Sequence, residues 1–203
     1  GQITDQKGKA RKDVDYAFSA GDVTIYIGDG AMHYQWSKHL TPSFNQEETK
    51  SPEKMMEEQA AMMNAPTVFR RMDVLLVGAN IEAPVVTSAT QSYFEKHLMQ
   101  SGEELQIHTF NKITYKNVYP NIDWVLYTNG KSLKYDFVIH EGGNHNDIRL
   151  KYNGADDISL QENGDITIHT TMADITEHAP YTYHGITKEA IPSKFKLPLL
   201  APM

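Results

Sequence analysis

The sequence predicts an all-β fold, an antiparallel β-sandwich-like arrangement with one short helical insertion around residues 52–63. Two observations carry this expectation. Most of the chain alternates apolar and polar residues with period two, the pattern of strands with one buried face. The alternating segments are punctuated by glycine and asparagine turns, and eleven tyrosines, seven phenylalanines and two tryptophans are spread through them, residue types that fit a pleated, half-buried surface.

Taken in order, Val14–Ala20, Asp22–Gly28 and Ala31–Ser37 read as a three-stranded meander, joined at Ala20-Gly21 and at Gly28-Asp29-Gly30. Thr67–Ala79 supplies one long strand, or two with a bend. After Leu105 the strand signals crowd together: LQIHTF, KITYKNVY, IDWVLYT, SLKYDFVIH, DIRLKYN, DISLQEN, DITIHTT and DITEHAP. Asn129-Gly130 and Asn163-Gly164 are hairpin turn pairs, because type I′ turns need positive φ and Asn-Gly accepts it. The exception is Leu40–Pro66, a polar loop running into good helix formers. Ser51 suits the cap, Pro52 the first turn, and Asn64 with Pro66 the end. Met55, Met56, Met62 and Met63 gather on one side of that helix. The ordinary expectation packs them on the sheet, and the sharper one makes them an adaptable contact surface. No repeat of fixed period emerges. The chain reads as a single domain over 1–203, or as two β sublobes at about 1–100 and 101–203, with 40–66 inserted.

Composition narrows the function. The formal charge is −7, whereas a general nucleic-acid binder needs a basic footprint to displace counterions. The absence of cysteine removes disulfides, thiolate metal sites and a cysteine nucleophile. The longest apolar runs are too short to span a bilayer. The chain starts without an initiator methionine, so a mature or trimmed form is expected.

The opening GQ at Gly1-Gln2, the LVGAN segment at Leu76–Asn80 and the YKNVYPNID run at Tyr115–Asp123 carry a resemblance. So do YDFVIHEG at Tyr135–Gly142, IRLKYNGA at Ile148–Ala155, and Pro180, Tyr181, Tyr183 and His184. The chain resembles the uncharacterised N-terminal domain that precedes SBBP-type β-propeller repeats in secreted Bacteroidota-type surface proteins. The likeness is strongest from Thr109 to His184. Asn121 stands where that family usually has glycine, and His140-Glu141 where it has a small residue and proline. The resemblance implies an all-β fold in a secreted, cell-surface or periplasmic setting, with downstream domains of the same protein as partners. It implies no activity.

The hairpin IDWVLYTNGKSLKYDFVIH holds the sharpest site question. If Asn129-Gly130 is a two-residue turn, Leu126 faces Leu133, Trp124 faces Tyr135 and Ile122 faces Phe137, a continuous apolar face. Asp123 then sits opposite Asp136, with Cβ atoms roughly 5 Å apart, and like charges so placed repel. Three remedies are open: a Ca²⁺ ion held by both carboxylates, a proton shared between them, or hydrogen bonds to Lys134, Arg149 or backbone amides. The third, structural reading is preferred, because calcium takes roughly six to eight oxygen ligands and the hairpin offers two carboxylates.

Other constellations are weaker. His33 with His39, and His140 with His145 beside Asp147, lack the spacing of a zinc-binding helix. No Gly-x-Ser-x-Gly elbow or phosphate loop is present, and no particular serine stands out as a nucleophile. Tyr26, Tyr34, Trp36, Tyr127, Tyr181 and Tyr183 are candidates for stacking on sugars, with core packing the ordinary alternative. The sequence expectation is therefore a monomeric, non-catalytic N-terminal domain of an exported multidomain surface protein, acting in adhesion, assembly or display. No cofactor is required. The alternative is a carbohydrate-binding module, meeting a glycan or a cell-surface protein. A contiguous exposed aromatic platform would favour the second.

Overall fold

The computed structural model describes residues 13–40, 51–98, 104–128 and 132–198, and of 89–98 and 104–109 the backbone alone. It is an all-β, sandwich-like protein with one helix of 12 residues among the described residues. The contacts divide the chain at Asn153/Gly154 into two compact units. The expected division near residue 100 is corrected, because β5 (Val85–Leu98) and β6 (Glu104–Tyr119) pair with each other across it.

The first unit holds two antiparallel sheets. One has the order β1-β2-β3-β4-β9, built from Tyr16–Ala20, Val23–Gly28, Ala31–His39, Thr67–Leu76 and Leu150–Asn153. The expected meander is its first three strands. Gly28 pairs with Ala31 across Asp29-Gly30, whose φ values of 49° and 66° give the turn the twist that matches its flanking strands. The other sheet runs β5-β6-β7-β8, where β7 is Ile122–Thr128 and β8 is Leu133–Ile139. Two expected strands, LQIHTF and KITYKNVY, are one continuous β6. The strand β5 was missed, although Val85, Val86 and Thr87 open it with β-branched residues.

Ile25, Ile27, Met32, Trp36, Met72, Val74 and Leu76 are buried on the first sheet; Ile113, Tyr115, Ile122, Trp124 and Leu126 are buried on the second. Alternation explains which residues turn inward. Burying a large apolar side chain stabilises by roughly 1.5–3 kcal/mol, so fully enclosed Trp124 is a principal anchor. Cross-links include Tyr16 edge-on to Phe110 and the Tyr115 hydroxyl donating to Asp15 at 2.9 Å. Burial, with the negative Asp15, pushes the Tyr115 phenol well above its ordinary range.

The helix α1 (Pro52–Met63) is capped as expected: the Ser51 hydroxyl accepts from the Lys54 N–H at 3.3 Å, and Asn64 ends it. Its methionines overturn the packing expectation. Met55, Met56, Met62 and Met63 are between 50% and 81% exposed, while the shaded positions are Glu58, Ala61 and Ala65. No residue of the helix is buried, so its methionines are not packed on a sheet.

The second unit contains a meander of β10 (Asp157–Leu160), β11 (Ile166–His169) and β12 (Ile175–Glu177), and a small hairpin of β13 (Thr182–Tyr183) and β14 (Ala190–Ile191). Ile166 and Ile168 are buried. Asn163-Gly164 is a turn as expected, but of a different kind. The Gln161 N–H donates to the Asp165 carbonyl and only Gly164, at φ 89°, enters the left-handed region, so the loop has three residues. Asn129-Gly130 lies outside the described residues.

Candidate functional site

The candidate site is assembled where β6 meets β7. Tyr115 pairs with Trp124 and Tyr119 with Ile122, so Lys116, Asn117 and Val118 together oppose Asp123. That is a bulge, made possible by Asn117 at φ 52°; Pro120-Asn121 closes the hairpin with Asn121 at φ 58°. Asparagine tolerates this left-handed conformation better than most residues, which explains how it occupies a position where glycine would be usual.

Asp123 fills the bulge and is 3% exposed. One carboxylate oxygen accepts from the Asn117 N–H at 2.9 Å. The other accepts from Lys116 Nζ at 2.7 Å and faces His140 Nε2 at 3.0 Å. Burial alone would raise the carboxyl, but the hydrogen bonds from Lys116, His140 and Asn117 outweigh it and hold the group at about 2. Neighbouring loops are tied to the same place. The Asn80 N–H donates to the Val118 carbonyl, the Lys116 N–H to the Pro84 carbonyl, and the His140 N–H to the Asn121 carbonyl. Two motifs singled out in the sequence, YKNVYPNID and YDFVIHEG, thus meet at one buried carboxylate, and LVGAN is bonded to the bulge that holds it.

The expected register of the hairpin is corrected. Asp123 faces Val138, Asp136 faces Val125, Trp124 faces Phe137 and Ile122 faces Ile139. The partner strand is shifted by two residues, which adds the Ile122–Ile139 pair and brings His140 to Asn121 and Asp123. Asp136 is solvent-exposed and accepts from the Tyr127 hydroxyl at 3.4 Å. The two aspartates do not form a facing pair, so the direct repulsion that called for a calcium ion or a shared proton is absent. Arg149 also lies elsewhere. It precedes β9, which joins β4 in the first sheet, and its carbonyl accepts from the Val77 N–H. The groups beside Asp123 are Lys116 and His140, which sequence reasoning missed because the bulge that folds them back is not a periodic signal.

The remaining candidates fall into place individually. Trp36 is buried, and half-buried Tyr34 stacks on it at 5.8 Å with 22° between the planes, so neither belongs to an exposed platform. His33 faces Asp73 at 2.8 Å and His39 bonds the Thr67 hydroxyl. Among the described residues, no group of three or more His, Asp or Glu side chains is arranged to hold a metal ion. The aromatic exposure expected of a sugar-binding face is found at Tyr181 and Tyr183, 76% and 48% exposed. Their ring centroids lie 5.7 Å apart with the planes tilted by 37°, and Lys188 Nζ stands 5.2 Å over the Tyr183 ring.

On this all-β scaffold the buried Asp123 carboxylate ties the bulge to the end of the following hairpin. Residues 3–199 match the family described as "Domain of unknown function (DUF7948)", and the chain belongs to it. No curated protein and no solved structure matches the chain. No helix among the described residues is long and apolar enough to cross a membrane.

Proposed function

We propose that this domain is a contact module of an exported multidomain surface protein, acting in adhesion, assembly or display. The supporting observation is the outward methionine face of α1. Four flexible, polarisable side chains stand in solvent at 50% or more exposure. Methionine is the apolar residue that adapts to irregular partner surfaces, and grouped exposed apolar side chains mark interaction sites. The resemblance to domains that precede β-propeller repeats supports a surface setting with further domains as neighbours. The test is cell adhesion by the full-length protein displayed on its own cells, comparing wild type with a variant carrying serine at positions 55, 56, 62 and 63. Equal adhesion at equal display would sink this reading.

A second reading, a carbohydrate-binding module, is favoured by the Tyr181–Tyr183 pair. Two adjacent exposed rings offer apolar faces to the C–H side of a sugar, and Lys188 adds a donor beside them. Binding to a panel of polysaccharides should drop at least about tenfold, or roughly 1.4 kcal/mol, in Tyr181→Ala/Tyr183→Ala. Unchanged binding would dismiss this face as a sugar site.

A further inference from the structure

Two side chains on one face of the β10–β11 hairpin, with Asp174 from the connection that follows β11, make contacts that form a directed chain. Ser159 and His169 lie diagonally across the pair, since Ser159 faces Thr167 and Asp157 faces His169. Ser159 Oγ is 3.2 Å from His169 Nε2, and His169 Nδ1 is 3.1 Å from Asp174 Oδ1. The hydrogen-bond directions are mutually consistent. Asp174 accepts, so Nδ1 carries the proton and Nε2 is left as the acceptor. Gln161 Nε2 can only donate, and does so to Ser159 Oγ at 2.9 Å; the serine proton is then the one directed at Nε2. The same amide also reaches Thr167 Oγ1 at 3.2 Å, which fixes its orientation.

A hydroxyl bonded to an imidazole, itself oriented by a carboxylate through the opposite nitrogen, is the arrangement that activates a serine. We propose that Ser159 is a nucleophile toward carboxylic esters, with His169 as its general base, Asp174 as the positioning residue, and the Gln161 amide as the group that holds Ser159 Oγ with its proton toward the imidazole. This goes beyond the contact function and does not depend on it. Ser159 Oγ bonds to the ester carbonyl carbon while its proton passes to His169 Nε2. The carbon–alkoxy bond then breaks, and that proton leaves with the alcohol. Water adds to the acyl-serine, giving its proton to Nε2, and the Oγ–carbon bond breaks with the proton returned to Oγ. The sum is ester plus water giving acid plus alcohol. The side chains of His169 and Asp174 are 40% and 58% exposed, so the imidazole is oriented in a wet environment. Activated esters and fluorophosphonates are the substrates such a serine reaches, rather than amides.

The experiment is incubation of the whole 203-residue chain with an alkyl fluorophosphonate, in which the Oγ–phosphorus bond forms as fluoride leaves. Intact mass and peptide mapping should place a single adduct on Ser159. Ser159→Ala should remove it, and His169→Gln should slow it by about a hundredfold. Asp174→Asn should slow it less, with Asp174→Glu restoring part of the rate. Ser193→Ala, away from the relay, should leave labelling unchanged. Wild type that gains no adduct on Ser159, or His169→Gln that labels as fast as wild type, would overturn the proposal. If His169→Gln alters the circular dichroism spectrum, the wild-type adduct position decides, because an unactivated surface serine does not react.

Discussion

His140 Nε2 stands 3.0 Å from Asp123 Oδ2, joining the end of β8 to the start of β7 opposite the β6 bulge. The contact closes a ring of backbone and side-chain bonds through Asn117, Asn121 and Lys116. Removing the carboxylate leaves the Asn117 N–H without its acceptor and Lys116 beside an emptied bulge. Asp123→Ala is therefore expected to destabilise by about 3 kcal/mol, read as a lowered urea midpoint at unchanged slope. A loss below about 1 kcal/mol would mean that water replaces the carboxylate without penalty.

Acid should undo the same strut. The Asp123 carboxyl lies at about 2 in the folded protein against 3.8 for an unperturbed one. A depressed folded value stabilises above the unfolded value and is lost as pH falls through the folded one. The contribution, about 2 kcal/mol, is complete above roughly pH 5 and fades toward pH 2. Two other carboxyls share the direction. At Asp73, burial is outweighed by hydrogen bonds from Arg71 and His33; at Asp165, the Ala179 N–H and His178 do the work. Comparing denaturation of wild type and Asp123→Asn between pH 6 and 2.5 isolates the first, since the variant should lose less stability on acidification. Parallel curves would exclude Asp123 as a contributor.

Gly143 is set by close approach. A Cβ there would meet the Asn121 carbonyl at 2.8 Å and Ile139 at 2.9 Å, so Gly143→Ala forces the His140 turn away from the bulge. A cost of about 2 kcal/mol is expected. Gly185 has nothing within 4 Å of its own Cβ position, and Gly185→Ala should be neutral or slightly stabilising. Thermal melts of the two variants should move apart; matching melts would contradict the packing at Gly143.

Exposure also ranks the methionines by reactivity. Met55, Met56, Met62 and Met63 face solvent, whereas Met32 and Met72 are each 1% exposed. Mild peroxide should convert the four helix methionines to sulfoxides before Met32 and Met72, with no large change in melting temperature. Peptide mass spectrometry that found Met32 or Met72 oxidised alongside them would place the helix, or the core, differently.

The sequence made the strand character and the paired faces of the β7–β8 hairpin legible, and the structure keeps both. It did not make the register legible. Leu133, Tyr135, Phe137 and Ile139 alternate along β8, so sliding the strand by two residues preserves a continuous apolar face. The bulge at Asn117 and the turn at Asn121, both at positive φ, and the seat they give His140 go with the observed alignment. Periodicity is silent on both. The relay at Ser159 was equally hidden, because its residues become neighbours only once the hairpin pairing is known. For α1 the caps were readable from single residues, while the direction of its methionines depended on which face found neighbours.

Strands β4 and β9 are adjacent in one sheet, yet the whole of residues 77–149, including every strand of the other sheet, lies between them in the chain. The first sheet is thus completed only after the intervening segment has returned its end to the starting edge. Closing so long a loop must be met before its contacts reward it. Refolding of this unit is expected to be slow and all-or-none, and stopped-flow fluorescence of Trp36 and Trp124, one tryptophan on each sheet, should report a single shared rate.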